Sequence, residues 1–200
     1  DGIQNNATDP SHLFVTHRDQ DCRRKGAQFR YSAYRCRRVW QHIEADEPSE
    51  EATRGRGAVK FFVMNMSTTW AATAREARRL QEAGISGLMF TEAGQAPWMN
   101  IAAAGTAAPD LELCTGVAVA FARSPMVSAS IAWELAGNTE GRFRLGLGSQ
   151  VKAHIERRYG ADFDPPGPRM RDYLEAVRAC LAAFRGDGPL AHDGPYYQLS

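Results

Sequence analysis

The chain has few cysteines, and none of them is paired. Cys22, Cys36, Cys114 and Cys180 stand far apart, with no CxxC spacing. A disulfide framework is therefore not expected. Structural zinc modules draw ligands from close pairs, so the set Cys22, Cys36 and His42 is a poor candidate and no metal is expected. Cys114 in a strand pattern and Cys180 on a helix face read as small buried hydrophobes. An excess of one charge is missing too, because the formal net charge is +1. Nothing global steers the chain to nucleic acid or to a lipid surface. No apolar run approaches the ~20 residues of a membrane-crossing helix. No charged-then-apolar start suggests a secretory signal, and the expected location is cytoplasmic.

Two textures follow each other along the chain. Residues 1–57 are polar and arginine-rich, and they lack aliphatic periodicity. Too little apolar surface is available there to offset chain entropy, so a disordered or non-native extension is expected. The arginines around Arg23-Arg24-Lys25 and Arg35, with Tyr31, Tyr34 and Trp40 between, could touch nucleic acid; composition favours the plainer reading. Residues 58–200 look folded.

In that part strands and helices alternate. Residues 59–66 (VKFFVMNM) form a compact apolar run suited to a strand buried on both faces. Ser67-Thr68-Thr69 offers an N-cap, residues 70–83 a helix, and Gly84 its stop. Residues 86–91 give a second strand ending at Glu92, and residues 98–108 an alanine-rich helix. The third strand is 111–117. Pro125 opens a helix over 126–136. The fourth strand is 142–147, followed by a helical piece at 151–159. Residues 169–184 are an amphipathic helix with Met170, Tyr173, Leu174, Val177, Leu181 and Phe184 on its apolar stripe. The tail 189–200 reads as a short hairpin. Four strand-then-helix units argue a parallel α/β sheet. Periodicity leaves two forms open: an open doubly wound sheet, or the first half of a (β/α)8 TIM barrel. In both, chemistry sits at the carboxyl ends of the strands.

Gly146-Leu147-Gly148 could open a dinucleotide fingerprint, but the third glycine is absent, since position 151 is Val151. A nicotinamide Rossmann site is not expected. The segments 82–92 (EAGISGLMFTE), 115–125 (TGVAVAFARSP), 141–150 (GRFRLGLGSQ) and 154–160 (HIERRYG) point elsewhere. With Pro168-Arg169-Met170-Arg171 and Gly194-Pro195-Tyr196-Tyr197, they resemble the luciferase-like flavin and deazaflavin monooxygenase superfamily. The likeness is greatest to its coenzyme F420-dependent oxidoreductase branch. It spans about residues 59–200, and its motifs occur in order at strand ends and helix starts.

The resemblance implies a (β/α)8 barrel of the bacterial luciferase-like type, of which this chain holds about the first four β/α units. It implies hydride transfer between coenzyme F420 and a small organic substrate; FMN is the alternative cofactor. It also implies an amino-terminal fragment of a longer enzyme, and a homodimer. A catalytically incomplete piece acting only in assembly is the competing function, because half a barrel leaves an open sheet edge. By resemblance, Gly116, Val117 and Ala118 contact the tricyclic ring, with a non-proline cis peptide at Gly116-Val117. Gly148, Ser149 and Gln150 offer backbone amides and a hydroxyl to the ring carbonyls or ribityl chain. Glu92 would hydrogen-bond the ring or relay a proton. In sugar-phosphate dehydrogenases of the superfamily a histidine follows such an acid, whereas here Ala93 does. His154 is the other candidate catalytic residue, as a polar contact or proton donor. Trp98 is a candidate pocket wall.

Overall fold

The computed structural model describes residues 59–200. The extension expected over 1–57, its boundary, and the readings of Cys22, Cys36, His42 and the early arginines lie outside the described residues. The main sheet holds four short parallel strands in chain order. They are β1 (Phe62–Met64), β2 (Gly87–Phe90), β3 (Glu112–Thr115) and β5 (Phe143–Arg144). Two further pieces, β4 (Ala118–Val119) and β6 (Leu147–Gly148), pair in parallel beyond β3 and β5. Between the strands run α1 (Trp70–Glu82), α2 (Trp98–Ala107) and α3 (Pro125–Asn138). After β6 come a single turn, α4 (Lys152–His154), a π-helical turn (Ile155–Tyr159) and the long α5 (Pro166–Arg185). An antiparallel hairpin of β7 (His192–Asp193) and β8 (Gln198–Leu199) closes the chain.

Local chemistry explains the helix ends. Thr69 caps α1 by accepting the Ala72 N–H, and Ser124 caps α3 by accepting the Val127 N–H, each at 3.3 Å. Pro125 occupies the first turn of α3. Strand order never reverses, and α1 packs on α2 while α3 packs on α5. A doubly wound sheet would show a reversal, its topological switch point. The architecture is part of a (β/α)8 barrel. Val63, Leu88, Leu113 and Phe143 face one another across the register and meet the helices. The neighbouring row, Met64, Met89, Cys114 and Arg144, lies on the other face.

That second face corrects the expected strands. The apolar run 59–66 is strand for three residues only, and Val59, Phe61, Met64 and Met66 are exposed. Burial on both faces requires a covered lumen, and here the lumen face stands open. Cys114 is accordingly half-buried, whereas Cys180 is fully buried. The expected third strand, 111–117, is paired only over Glu112–Thr115, and the fourth, 142–147, is broken between β5 and β6. The helical piece 151–159 is one α-turn followed by a π-turn.

The second core cluster lies between β4, α3 and α5 and centres on Tyr173. This phenol is fully buried, 2.6 Å from Ser128 Oγ, and donates to the Ser124 carbonyl at 3.3 Å. Burial pushes its pKa up to about 12, against a partial offset from the Ser128 bond. The folded state therefore holds the proton longer than the unfolded chain, which titrates near ~10. The associated stability is present in full below pH ~10 and is lost as pH rises through about 12. Tyr173→Phe is expected to cost about 1 kcal/mol at neutral pH. The same variant should lose about 2–3 kcal/mol less than the wild-type protein across the alkaline window. Urea unfolding at a series of pH values checks both.

Candidate functional site

The site forms where the sheet is interrupted. β3 ends at Thr115, and the next peptide bond but one, Gly116-Val117, is cis. The chain then continues as β4, which pairs with β6 in a separate two-stranded sheet, with Ala118 opposite Leu147 and Val119 opposite Gly148. The neighbouring strand breaks at the same level, between β5 and β6. Thr115 bridges the gap: its hydroxyl donates to the Gly146 carbonyl at 2.7 Å and accepts the Gly146 N–H at 2.8 Å. The N–H groups of Ala118 and Ala120 donate to the carbonyls of Gly146 and Gly148, both at 2.8 Å. Two segments far apart in sequence, 116–118 and 148–150, thus lie together at the carboxyl ends of their strands.

Val117 is 44% exposed, although Ala118 and Val119 beside it are buried. Gly148 lies against it; a Cβ there would come within 2.7 Å of Val117 Cγ2. The arrangement leaves an apolar side chain projecting from the interrupted sheet beside a residue with no side chain. Ala118 is fully buried, and its N–H is taken by Gly146, so it supports this projection from beneath.

Ser149 and Gln150 are half-buried. The Ser149 hydroxyl donates to the Gln150 carbonyl at 3.2 Å and does not cap the following helix. Gln150 has a positive φ of 62°, and its amide oxygen accepts the Val151 N–H at 3.0 Å. The amide nitrogen of Gln150 has no hydrogen-bond partner among the described residues. His154 ends α4, half-buried, directly before the π-turn that Gly160 closes in the left-handed region. Such turns recur at functional sites. His154 makes no hydrogen bond to the other site residues.

Glu92 does not point freely into the mouth. It is 8% exposed, and its backbone N–H donates to the Val117 carbonyl at 3.3 Å. Its Oε2 accepts the Val119 N–H at 2.7 Å, and its Oε1 pairs with the Arg123 guanidinium. Arg123 also donates to the Val119 carbonyl at 2.6 Å and lies 5.2 Å from the centre of the Trp98 ring. Trp98 is buried in the core beneath that cation and is no open pocket wall. Sequence reasoning missed Arg123, whose signal was a lone cation directly after the apolar run 117–122. Among the described residues no cluster of His, Cys, Asp or Glu could hold a metal ion. No described helix is long and apolar enough to cross a membrane.

A family model for luciferase-like monooxygenases matches residues 48–200. The chain belongs to the luciferase-like monooxygenase family. This luciferase-like chain is 37% identical over 127 residues to Rv1360, an uncharacterized protein of Mycobacterium tuberculosis, covering 64% of this chain and 37% of that one. It is 32% identical over 120 residues to Rv3520c of the same species, assigned as a coenzyme F420-dependent oxidoreductase, with coverage of 60% and 34%. It thus spans little more than a third of the length of the curated relatives it matches. Its fold superposes on the oxygenating constituent of 3,6-diketocamphane monooxygenase from Pseudomonas putida, solved in complex with FMN. The TM-score is 0.58 at 18% identity, over 71% of this chain and 43% of that one.

Proposed function

We propose that the protein is an F420-dependent oxidoreductase that moves a hydride between the deazaflavin and a small organic substrate. The observation that carries the reading is the exposed Val117, raised at the break between β3 and β4 beside Gly148. A flat tricyclic ring needs an apolar face to lie on and a neighbour without a side chain, and these two residues provide both. When bound, the ring supplies or accepts the hydride. The chain's own residues orient it. Gly116 and Val117 form the platform, Ala118 supports it, and Gly148 leaves room at its edge. The Ser149 hydroxyl and the Gln150 amide nitrogen are placed for polar contacts beyond that edge. The half-buried His154, whose backbone N–H donates to Val151 while its ring makes no hydrogen bond to the other site residues, is a candidate polar contact to the substrate. The relative assigned to F420 favours that cofactor over FMN.

Binding distinguishes the two. Titration of the intact protein with F420 should quench the deazaflavin fluorescence, with FMN giving no comparable effect. Tight FMN binding without F420 binding would assign the site to a flavin monooxygenase instead. Indifference to both would reject the oxidoreductase reading.

A further inference from the structure

The geometry points to Glu92 and Arg123 as a positioning pair that sets the 117–119 segment for the ring, with neither residue moving a proton. This rests on the oxidoreductase reading above. Residue 92 holds the segment at both ends: its backbone N–H takes the Val117 carbonyl, and its carboxylate takes the Val119 N–H. Arg123 takes a third group, the Val119 carbonyl, and neutralises the same carboxylate. Three main-chain polar groups around the exposed Val117 are thereby satisfied by two side chains and one amide. The side chains of the pair are 6% and 13% exposed, so solvent screens their attraction little. Arg123 is itself held by the Trp98 ring and by its N–H on the Ala120 carbonyl at 3.2 Å. A proton relay needs an oxygen turned to the reacting atoms. Both oxygens of Glu92 are turned to protein donors instead.

Three variants of the intact protein test this: Glu92→Ala, Arg123→Met, and the double Glu92→Gln with Arg123→Met. Glu92→Ala bares the Val119 N–H and leaves a buried cation without its partner. In the double variant the amide oxygen can still accept from Val119, and no cation is left bare. Amide hydrogen exchange at Val119, measured without ligand, should be at least about tenfold faster in Glu92→Ala, and much of the protection should return in the double variant. The dissociation constant for F420 or FMN, read by fluorescence, should follow the same order with about a tenfold loss in Glu92→Ala. Both limbs of the pH–rate profile should persist in the double variant.

Unchanged exchange at Val119 would overturn the pairing. So would faster exchange with unweakened ring binding. Loss of turnover in the double variant at unchanged affinity, with one pH limb gone, would make Glu92 a proton carrier and reject the proposal. A wild-type protein that binds neither ring sinks the oxidoreductase reading and the positioning role with it, while the exchange result still decides whether the clamp exists. Should Glu92→Ala fail to fold, Arg123→Met against the double variant isolates the buried carboxylate left without its cation: weaker ring binding in Arg123→Met is expected, and equal affinity in the two would overturn the pairing.

Discussion

Asp172→Ala is expected to destabilise the protein by about 3–5 kcal/mol, because several hydrogen-bonding groups lose one buried acceptor at roughly 1–3 kcal/mol each. Asp172 is 3% exposed and lies on the buried side of α5. One oxygen meets His192 Nε2 at 2.8 Å; the other accepts the N–H groups of Tyr196 and Tyr197 at 2.7 and 2.9 Å. One carboxylate therefore gathers the whole tail hairpin onto α5. The backbone passes so close that a Cβ at Gly194 would collide with Asp172 Oδ1. Arg169, lying 4.8 Å from the Tyr196 ring centre, and Tyr197, edge-on to Tyr173, pack around the same point. Alanine removes the acceptor for three donors at once. The hairpin can relieve part of that cost by peeling off, so the tail should also become sensitive to protease. Asp172→Asn keeps one oxygen for the two N–H groups and should cost nearer ~1 kcal/mol. Urea unfolding of both variants checks the order. Equal, small losses would show that the tail is held by its aromatic contacts alone.

How far the residue order revealed the molecule depends on the range of the interaction. Caps, stops and amphipathic stripes are local. Thr69, Gly84, Pro125 and the α5 stripe were all legible, because each is a signal within one or two helical turns. The strands were harder. The run 59–66 is apolar on both sides because a closed barrel would bury both, so composition alone lengthened β1 beyond what is paired here. The breaks after Thr115 and after Arg144 depend on contacts between two strands, which no single segment shows.

The site divides in the same way. Its location at glycine-marked strand ends was readable, and so was the cis peptide, through the family resemblance. The direction of Glu92 was not. Its partners, Val119 and Arg123, are 27 and 31 residues away, and nothing in the local sequence says which way a carboxylate turns. Asp172 did leave a trace that went unused. It shares the helix face of Ala176 and Cys180, so it is a charge placed on a buried stripe, which calls for donors nearby.

The second large effect concerns Val117, and it tests whether the interrupted sheet is a ring platform. Val117→Asp changes a side chain that is 44% exposed and lies outside both core clusters, so the fold should tolerate it. A ring lying on that residue would force the new carboxylate against an apolar surface without a donor, at a cost of about 2–3 kcal/mol. That corresponds to roughly 30- to 150-fold in Kd. The decisive measurement is the dissociation constant of the intact protein for F420, and for FMN, in wild-type and Val117→Asp forms with matched melting temperatures. The expected result is tight binding by the wild-type protein and a loss of at least about 30-fold in the variant. Equal affinity in the two forms would contradict a ring seated on Val117.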